Sequence, residues 1–402
     1  MLFLHHKLEI IRLYIYRKDM YDQIRGDILF TILYSAVATM ALLTGCYLLF
    51  SKANAFATDI TPPVRLRRWT GVFLVSIALN HVWYMPLFFL SSSDDILSIE
   101  LIGGMLDNLT VFPLSIAILL VMLQDRRRPL WPICVLTAPI ALGMAVCIVK
   151  HSSALYPIIY AYVVLLTFGL IIYMVREVRR YGRWLRDNYA DLENKEVWQS
   201  FVVLAIILLV YVFYEFSDDG PAYPYVMQAV SIVLNCYLLW RVETLSDMSI
   251  PATHGHEDLA PHTLADDNDL SQSLRNSIGS MLKQYCEEPQ LYLQHDISVA
   301  QLAKQIGTNR SYLSKYFALQ GITYNAYING LRIQHFVKLY HATTAAHQSA
   351  STKQLAYQSG FRSYSTFNAA FKQSMGMTAR EWMHTAEEQK QDSTGPQNTS
   401  ES

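Results

Sequence analysis

Residues Leu355–Gly376 read LAYQSGFRSYSTFNAAFKQSMG, and they have a counterpart upstream. Gln301–Phe317, QLAKQIGTNRSYLSKYF, and Gln354–Phe371, QLAYQSGFRSYSTFNAAF, share one skeleton. Each has Leu-Ala, a glycine four residues after the alanine, and then two apolar anchors four apart. The first copy uses Leu302, Ala303, Gly307, Leu313 and Phe317. The second uses Leu355, Ala356, Gly360, Phe367 and Phe371, with one residue inserted after the glycine. A small alanine lets a second helix cross closely, glycine supplies the tight turn between the helices, and anchors four apart hold the second helix down. The polar side chains of that second helix then face outward, where they can enter a major groove.

The surroundings fit this arrangement. A central helix is expected from about Thr323 to His341, with Ile328, Leu331 and Tyr340 along one side and Arg332-Ile333 in its middle. Ahead of the first copy, Leu274, Ile278, Leu282 and Tyr285 form an amphipathic stripe, predicting a connecting helix over 270–289. Tyr312, Leu313, Phe317, Phe361, Phe367 and Phe371 are expected in the core. Between Leu291 and Thr385 nine basic residues (Lys304, Arg310, Lys315, Arg332, Lys338, Lys353, Arg362, Lys372 and Arg380) face only Asp296 and Glu381, an excess of seven. That is the charge balance of a domain that meets polyphosphate.

Further upstream the chemistry inverts. Seven apolar stretches, each on the order of 20 residues and long enough to cross a bilayer, precede residue 241. They are Ile28–Phe50, Trp69–Leu90, Leu101–Leu123, Leu130–Val149, Ala154–Val175, Val197–Phe216 and Ala222–Trp240. The first, third and fifth loops carry 4, 3 and 6 Lys or Arg, against none, 1 and none in the others. Positive charge stays inside, so the odd loops and the C-terminal part are expected on the cytoplasmic side of the membrane. Residues 1–26, with Lys7, Arg12, Arg17, Lys18 and Arg25, oppose an outside N-terminus. Either Met20 is the start, or the segment is an interfacial helix or an eighth crossing. "LTGC" at Leu43–Cys46 is read as part of a retained helix, because the apolar run continues to Phe50.

Within the stretches, Asn80, His81, Asp107, Asn108, Glu215 and Asn235 are polar, and polar groups at membrane depth are costly. His81 and Asp107 are the candidate signal-sensing residues. No Gly-rich phosphate loop, H-E-x-x-H or G-x-S-x-G motif occurs, and the seventh stretch lacks a lysine for a retinal Schiff base. No enzyme, cofactor or metal is expected. The five cysteines include no C-x-x-C pair, and four lie in apolar runs. Glu243–Asp269, with Pro251 and Pro261, is acidic and lacks an apolar stripe, so 242–269 is expected to be a flexible linker. Its three histidines, His254, His256 and His262, are expected to be solvated. About 27 such residues would span roughly 25–30 Å.

The strings LAKQIGTNRSYLSKYFALQG, YINGLRIQHF and GFRSYSTFNAAFKQSMGMT resemble the C-terminal DNA-binding domain of the AraC/XylS family of bacterial transcription regulators. The resemblance covers about 290–383, a quarter of the chain, and implies two helix-turn-helix units rigidly linked by a central helix. It implies DNA contacts from Asn309, Arg310, Ser311, Ser314 and Lys315 in the first unit, and from Arg362, Ser363, Ser365, Thr366, Asn368 and Lys372 in the second. Three positions depart from the family pattern. Ala369 stands where a basic residue is frequent, Phe336 replaces a small residue, and Ala379 replaces a proline.

The expected fold is therefore all-α: a seven-helix transmembrane domain over 27–241, a double helix-turn-helix over 290–385, and a disordered tail over 386–402. The expected function is that of a membrane-embedded one-component regulator, with the bundle as sensor, or as an anchor from which the reader is released by proteolysis. The alternative is a transporter-like membrane protein whose helical tail binds protein. Double-stranded DNA and the lipid bilayer are the expected partners. RNA polymerase, a second copy of the chain (although no heptad seam supports one) and a small-molecule or envelope signal are further candidates.

Overall fold

The computed structural model describes residues 26–392, except 58–59, 91, 151–154, 216–221, 249–271 and 347–350. Residues 1–25, most of the linker with its three histidines, and 393–402 thus lie outside the described residues. Among those described, every regular element is helical, and extended pairing is confined to the isolated bridge Tyr189–Ser298. The chain divides into two compact units, Met1–Tyr181 with Val197–Pro251, and Gly182–Glu196 with Ala252–Ser402.

The first unit contains α1 (Ile28–Phe50), α2 (Val64–Tyr84), α3 (Ser93–Leu109), α4 (Val111–Met122), α5 (Trp131–Val149), most of α6 (Tyr156–Asn188), α7 (Trp198–Glu215) and α8 (Ala222–Thr244). Among the described residues, six helical runs are long and apolar enough to cross a membrane: Ile28–Phe50, Val64–Phe88, Ser98–Met122, Trp131–Val149, Pro157–Asn188 and Pro224–Thr244. The predicted sixth stretch forms α7, whose described apolar part is the shorter Trp198–Ile207.

Several element boundaries differ from the sequence expectation. Helix α2 starts at Val64, so Arg65, Arg67 and Arg68 lie in its first turns instead of in a loop. The third stretch breaks at Thr110 (φ −120°, ψ −69°). Pro113 provides the reason, because it offers no N–H and its ring excludes the carbonyl four residues earlier. Helix α8 runs to Thr244, so Glu243, assigned to the linker from composition, is fully buried.

Close packing of α1 on α2 depends on two glycines. An added Cβ on Gly45 would sit 2.8 Å from a Val75 methyl and 3.0 Å from the Gly71 carbonyl, and one on Gly71 would meet Leu49 and the Gly45 carbonyl. Small residues of this kind let two helix backbones approach. Large apolar side chains such as Leu79, Leu142, Leu165 and Phe168 face outward, 61–72% exposed. The interior holds Thr70, Gln228, Asn235 and ion pairs. Glu177 accepts hydrogen bonds from Arg126 (2.8 Å) and Arg128 (2.6 Å), Arg128 also pairs with Asp125 at 2.8 Å, and Arg67 lies 3.1 Å from Glu243.

The second unit contains α9 (Gln272–Leu282), α10 (Val299–Gln305), α11 (Arg310–Leu319), α12 (Tyr324–Ala345), α13 (Thr352–Gln358), α14 (Tyr364–Met375) and α15 (Ala379–Asp392). It has two apolar cores joined along α12. Tyr324 and Ile328 enter the first, with Ile278, Leu282, Cys286, Leu302, Leu313 and Phe317. Ile333, Phe336 and Tyr340 enter the second, with Leu355, Phe361, Phe367 and Phe371. One helix whose two halves belong to different cores cannot bend without opening one of them, so the two helix-turn-helix cores within this unit are held at a fixed separation.

Two apolar assignments change. Tyr285 is 45% exposed and Cys286 is buried in its place. Residues Lys283–Glu287 form a π turn, which inserts an extra residue and rotates the positions after it about the helix axis. Tyr312 is 46% exposed, since successive helical residues point about 100° apart and Leu313 already faces the core. Helix α15 extends to Asp392, so 386–392 is helical where a disordered tail was expected.

Candidate nucleic-acid interface

Each helix-turn-helix is built from local signals. Ser298 caps α10 in a reciprocal box with Gln301, and Asn309 caps α11 by accepting from the Tyr312 N–H at 2.9 Å. Gly307 sits between them at φ +73°. In the second unit Ser351 caps α13, Ser363 caps α14 by accepting from the Thr366 N–H at 3.2 Å, and Gly360 turns the chain at φ +88°. The two glycines are not equivalent. A Cβ on Gly307 would meet open space, whereas one on Gly360 would lie 2.7 Å from Leu293 Cα.

With the anchors buried, the opposite faces of α11 and α14 are presented to solvent. On α11, Arg310 and Ser311 are exposed, and Ser314 and Lys315 lie half-buried one turn further on the same side. On α14 the corresponding line is Ser365, Asn368, Ala369 and Lys372. The Ser363 hydroxyl lies 3.0 Å from that of Ser365 and 2.9 Å from that of Thr366, so these three are engaged in the cap. Asn309 likewise spends its amide oxygen on the cap. Ala369 is exposed in the middle of the α14 face. The position where the family frequently has a basic residue is thus a gap in the charge of this surface.

The basic excess is distributed less evenly than counting suggests. Arg332 is completely buried on α12 and its guanidinium pairs with Asp191, a residue outside the counted window. Arg362 is partly exposed and pairs with Asp296 at 2.6 Å. Burial alone would raise the Asp296 carboxyl, but Lys195 and Arg362 beside it outweigh that and hold it below the usual carboxylate range. Lys304, Lys338, Lys353, Lys372 and Arg380 are exposed. Sequence reading missed Asp191 and Lys195 because nothing local marks them as members of this unit.

Two departures from the family pattern prove to be packing. Phe336 fills the second core, with ring centroids 4.7 Å from Phe367 and 5.6 Å from Phe371. Ala379 is buried at the first position of α15, where a proline would fit. The turn is closed by Thr378 and Glu381, which exchange backbone-to-side-chain hydrogen bonds of 3.3 and 2.8 Å.

The candidate sensing residues belong to the first unit. Asp107 accepts from Asn80 Nδ2 at 2.6 Å and from the Tyr84 hydroxyl at 2.8 Å. His81 is 2.9 Å from the Ile77 carbonyl and 3.3 Å from Gln228 Oε1, and its ring lies against Tyr34. Tyr34, Tyr84 and Gln228 escaped the sequence reading, although Gln228 in an apolar stretch was a usable signal. These contacts tie α1, α2, α3 and α8 together, the arrangement of interhelical polar links in apolar surroundings.

Comparison with known proteins bears on the second unit. Residues 302–385 match the family described as "Helix-turn-helix domain". The chain is 32% identical over 84 residues to the TCP pilus virulence regulatory protein of Vibrio cholerae serotype O1, covering 21% of this chain and 29% of that protein. It is 28% identical over 113 residues to an uncharacterized HTH-type transcriptional regulator of Staphylococcus aureus (strain MRSA252), covering 28% of this chain and 14% of the relative. The chain therefore spans under a third of the length of either relative. No solved structure matches significantly. Two glycine-turned helix pairs on one central helix, in the segment shared with these regulators, make residues 302–385 an AraC-type helix-turn-helix domain.

Proposed function

We propose that this protein is a membrane-embedded transcriptional regulator that binds specific double-stranded DNA through its C-terminal domain. The observation that carries the reading is the pair of outward faces on α11 and α14, held at a fixed separation by α12. Two helices so linked suit successive major-groove segments on one side of a duplex. Arg310 and Lys315 suit guanine edges or phosphates, Asn368 suits adenine, and the serines are permissive. Lys372 and the exposed lysines around the domain supply phosphate contacts.

The membrane part of the reading rests on the first unit, where large apolar side chains face outward and ion pairs and amides face inward. A bilayer is the solvent in which that distribution is favourable. With all seven stretches crossing, the basic loops and the DNA-binding domain lie on the cytoplasmic side. His81 and Asp107, at the centres of polar clusters linking four helices, are where a ligand could shift the balance between two bundle arrangements.

The test uses the full-length chain in native membrane vesicles, selecting fragments of the source genome at two salt concentrations beside an Arg310→Ala, Lys315→Ala control. A recurrent motif lost in the control is the expected result. Retention that is wholly salt-sensitive and motif-free would overturn the DNA-reading role.

A further inference from the structure

The segment Gly182–Glu196, which lies just after the fifth apolar stretch, belongs to the same compact unit as the helix-turn-helix domain. Its contacts are those of a built-in part. The Ala190 N–H donates to the Ile297 carbonyl at 3.2 Å, and Tyr189 bridges Ser298 in antiparallel fashion. Asn325 on α12 donates its amide to the carbonyls of Ala190 and Tyr189. Ala190 lies in the first apolar core.

The charges go further. Asp191, 1% exposed, receives both guanidinium arms of Arg332 at 3.0 and 3.2 Å, and its second oxygen also accepts the Asp296 N–H at 2.9 Å. Arg332, 0% exposed, donates as well to the carbonyls of Tyr292 and Gln294 and lies over the Phe361 ring. Asp191 is the one carboxylate among these partners, and a buried guanidinium without one is strongly disfavoured. Lys195, itself buried, reaches Asp296 at 2.7 Å, and the other oxygen of Asp296 holds Arg362 at the start of the second reading element. Helix α6 runs unbroken from Tyr156 to Asn188, so the same helix that forms the fifth stretch ends inside this contact.

We propose that Gly182–Glu196 is an intramolecular docking segment of the DNA-binding unit, in which Asp191 and Lys195 are positioning residues that hold α12 and Arg362 in the DNA-competent arrangement. The segment is thereby the physical input from the helix bundle: displacing it strips Arg332 of its counter-charge and removes one positive charge from the Lys195–Asp296–Arg362 group. The regulatory half of this inference rests on the membrane-embedded reading above. The docking itself rests only on contacts within one unit.

The test again uses the full chain in native membrane vesicles, with a labelled duplex carrying the selected motif. In the Tyr189→Cys, Ser298→Cys variant the two Cα atoms of an antiparallel bridge lie about 4.5–5.5 Å apart, within disulfide range. Mild oxidation is expected to close that bond while DNA retention stays at the reduced level. Lys195→Gln is expected to weaken retention about 5-fold or more, and Lys195→Arg to restore it. Asp191→Asn should weaken it further, and because that variant could also unfold, the lysine pair and the disulfide carry the decision. Failure of the bond to form, release of DNA on locking, or Lys195→Gln retention equal to wild type would each overturn the proposal. If the wild-type vesicles retain no motif while the bond still forms, the DNA-reading role fails and the docking stands.

Discussion

The two helix-turn-helix units share a skeleton and differ in what surrounds it. In the first, Gly307 turns in open space, and the reading helix offers Arg310 and Lys315. In the second, Gly360 lies against the Leu293 backbone, Arg362 is tied to Asp296, and Ala369 interrupts the exposed face. The first copy thus leaves its turn clear of the rest of the domain, whereas the second is packed and paired into it, and on the proposed reading the first supplies more of the grip on DNA. The two copies share a packing logic while their charge and tethering diverge.

The largest expected effects come from the turns. Gly360→Ala combines a left-handed backbone costing about 1–2 kcal/mol with overpacking of about 1–3 kcal/mol. Gly307→Ala carries the backbone term of about 1–2 kcal/mol alone. Protease resistance or thermal melting of the full chain should rank them in that order, and equal losses would show that the two turns are equivalent after all.

Next come the reading faces. Arg310→Ala and Lys315→Ala should each reduce DNA affinity by about 1–3 kcal/mol, measured by titration at fixed salt. Lys372→Ala should weaken binding uniformly across sequences and lower the salt slope by about 1. A stronger sequence-selective loss from Lys372→Ala than from Lys315→Ala would reverse the assignment of grip to the first unit.

Filling the gap sharpens the same point. Ala369→Lys adds a cation to the exposed face of α14 and is expected to steepen the salt dependence by about 0.9. An unchanged slope would mean that this face does not approach phosphate.

The smallest effect is a pH dependence. His335, on α12 with its Nδ1 3.3 Å from the Tyr292 hydroxyl, is held below the ordinary value of about 6.5 by burial and by Lys338. Its folded-state value is depressed, so the unfolded chain binds the proton more readily. Stability is therefore full above about pH 6.5 and declines as pH falls from there through the folded-state value. His335→Gln should flatten melting temperature against pH in that window, and an unaltered profile would assign the dependence to other groups.

Much of the domain was legible because its signals are local. Leu302, Ala303, Gly307, Leu313 and Phe317, and their counterparts, lie where spacing placed them, and α12 begins beside Thr323 as expected but runs to Ala345, past the expected end near His341. The misreadings share a cause in phase. Tyr285 was misassigned because a π turn breaks the 3.6-residue period, and Tyr312 because an apolar label was taken for an inward direction. The third apolar stretch read as one run because Pro113 changes geometry without changing hydropathy.

What the sequence determined by itself is whatever repeats at short range: the apolar stretches, the paired helix-turn-helix skeleton and the excess of basic residues. Tertiary structure alone decided which of those basic residues are available. Asp191 and Arg332 are 141 positions apart, and no periodicity or composition links them. The physical reason is that helical faces are set by neighbours one turn away, whereas the fate of a charge is set by whichever carboxylate the fold brings within about 3 Å in a dry interior.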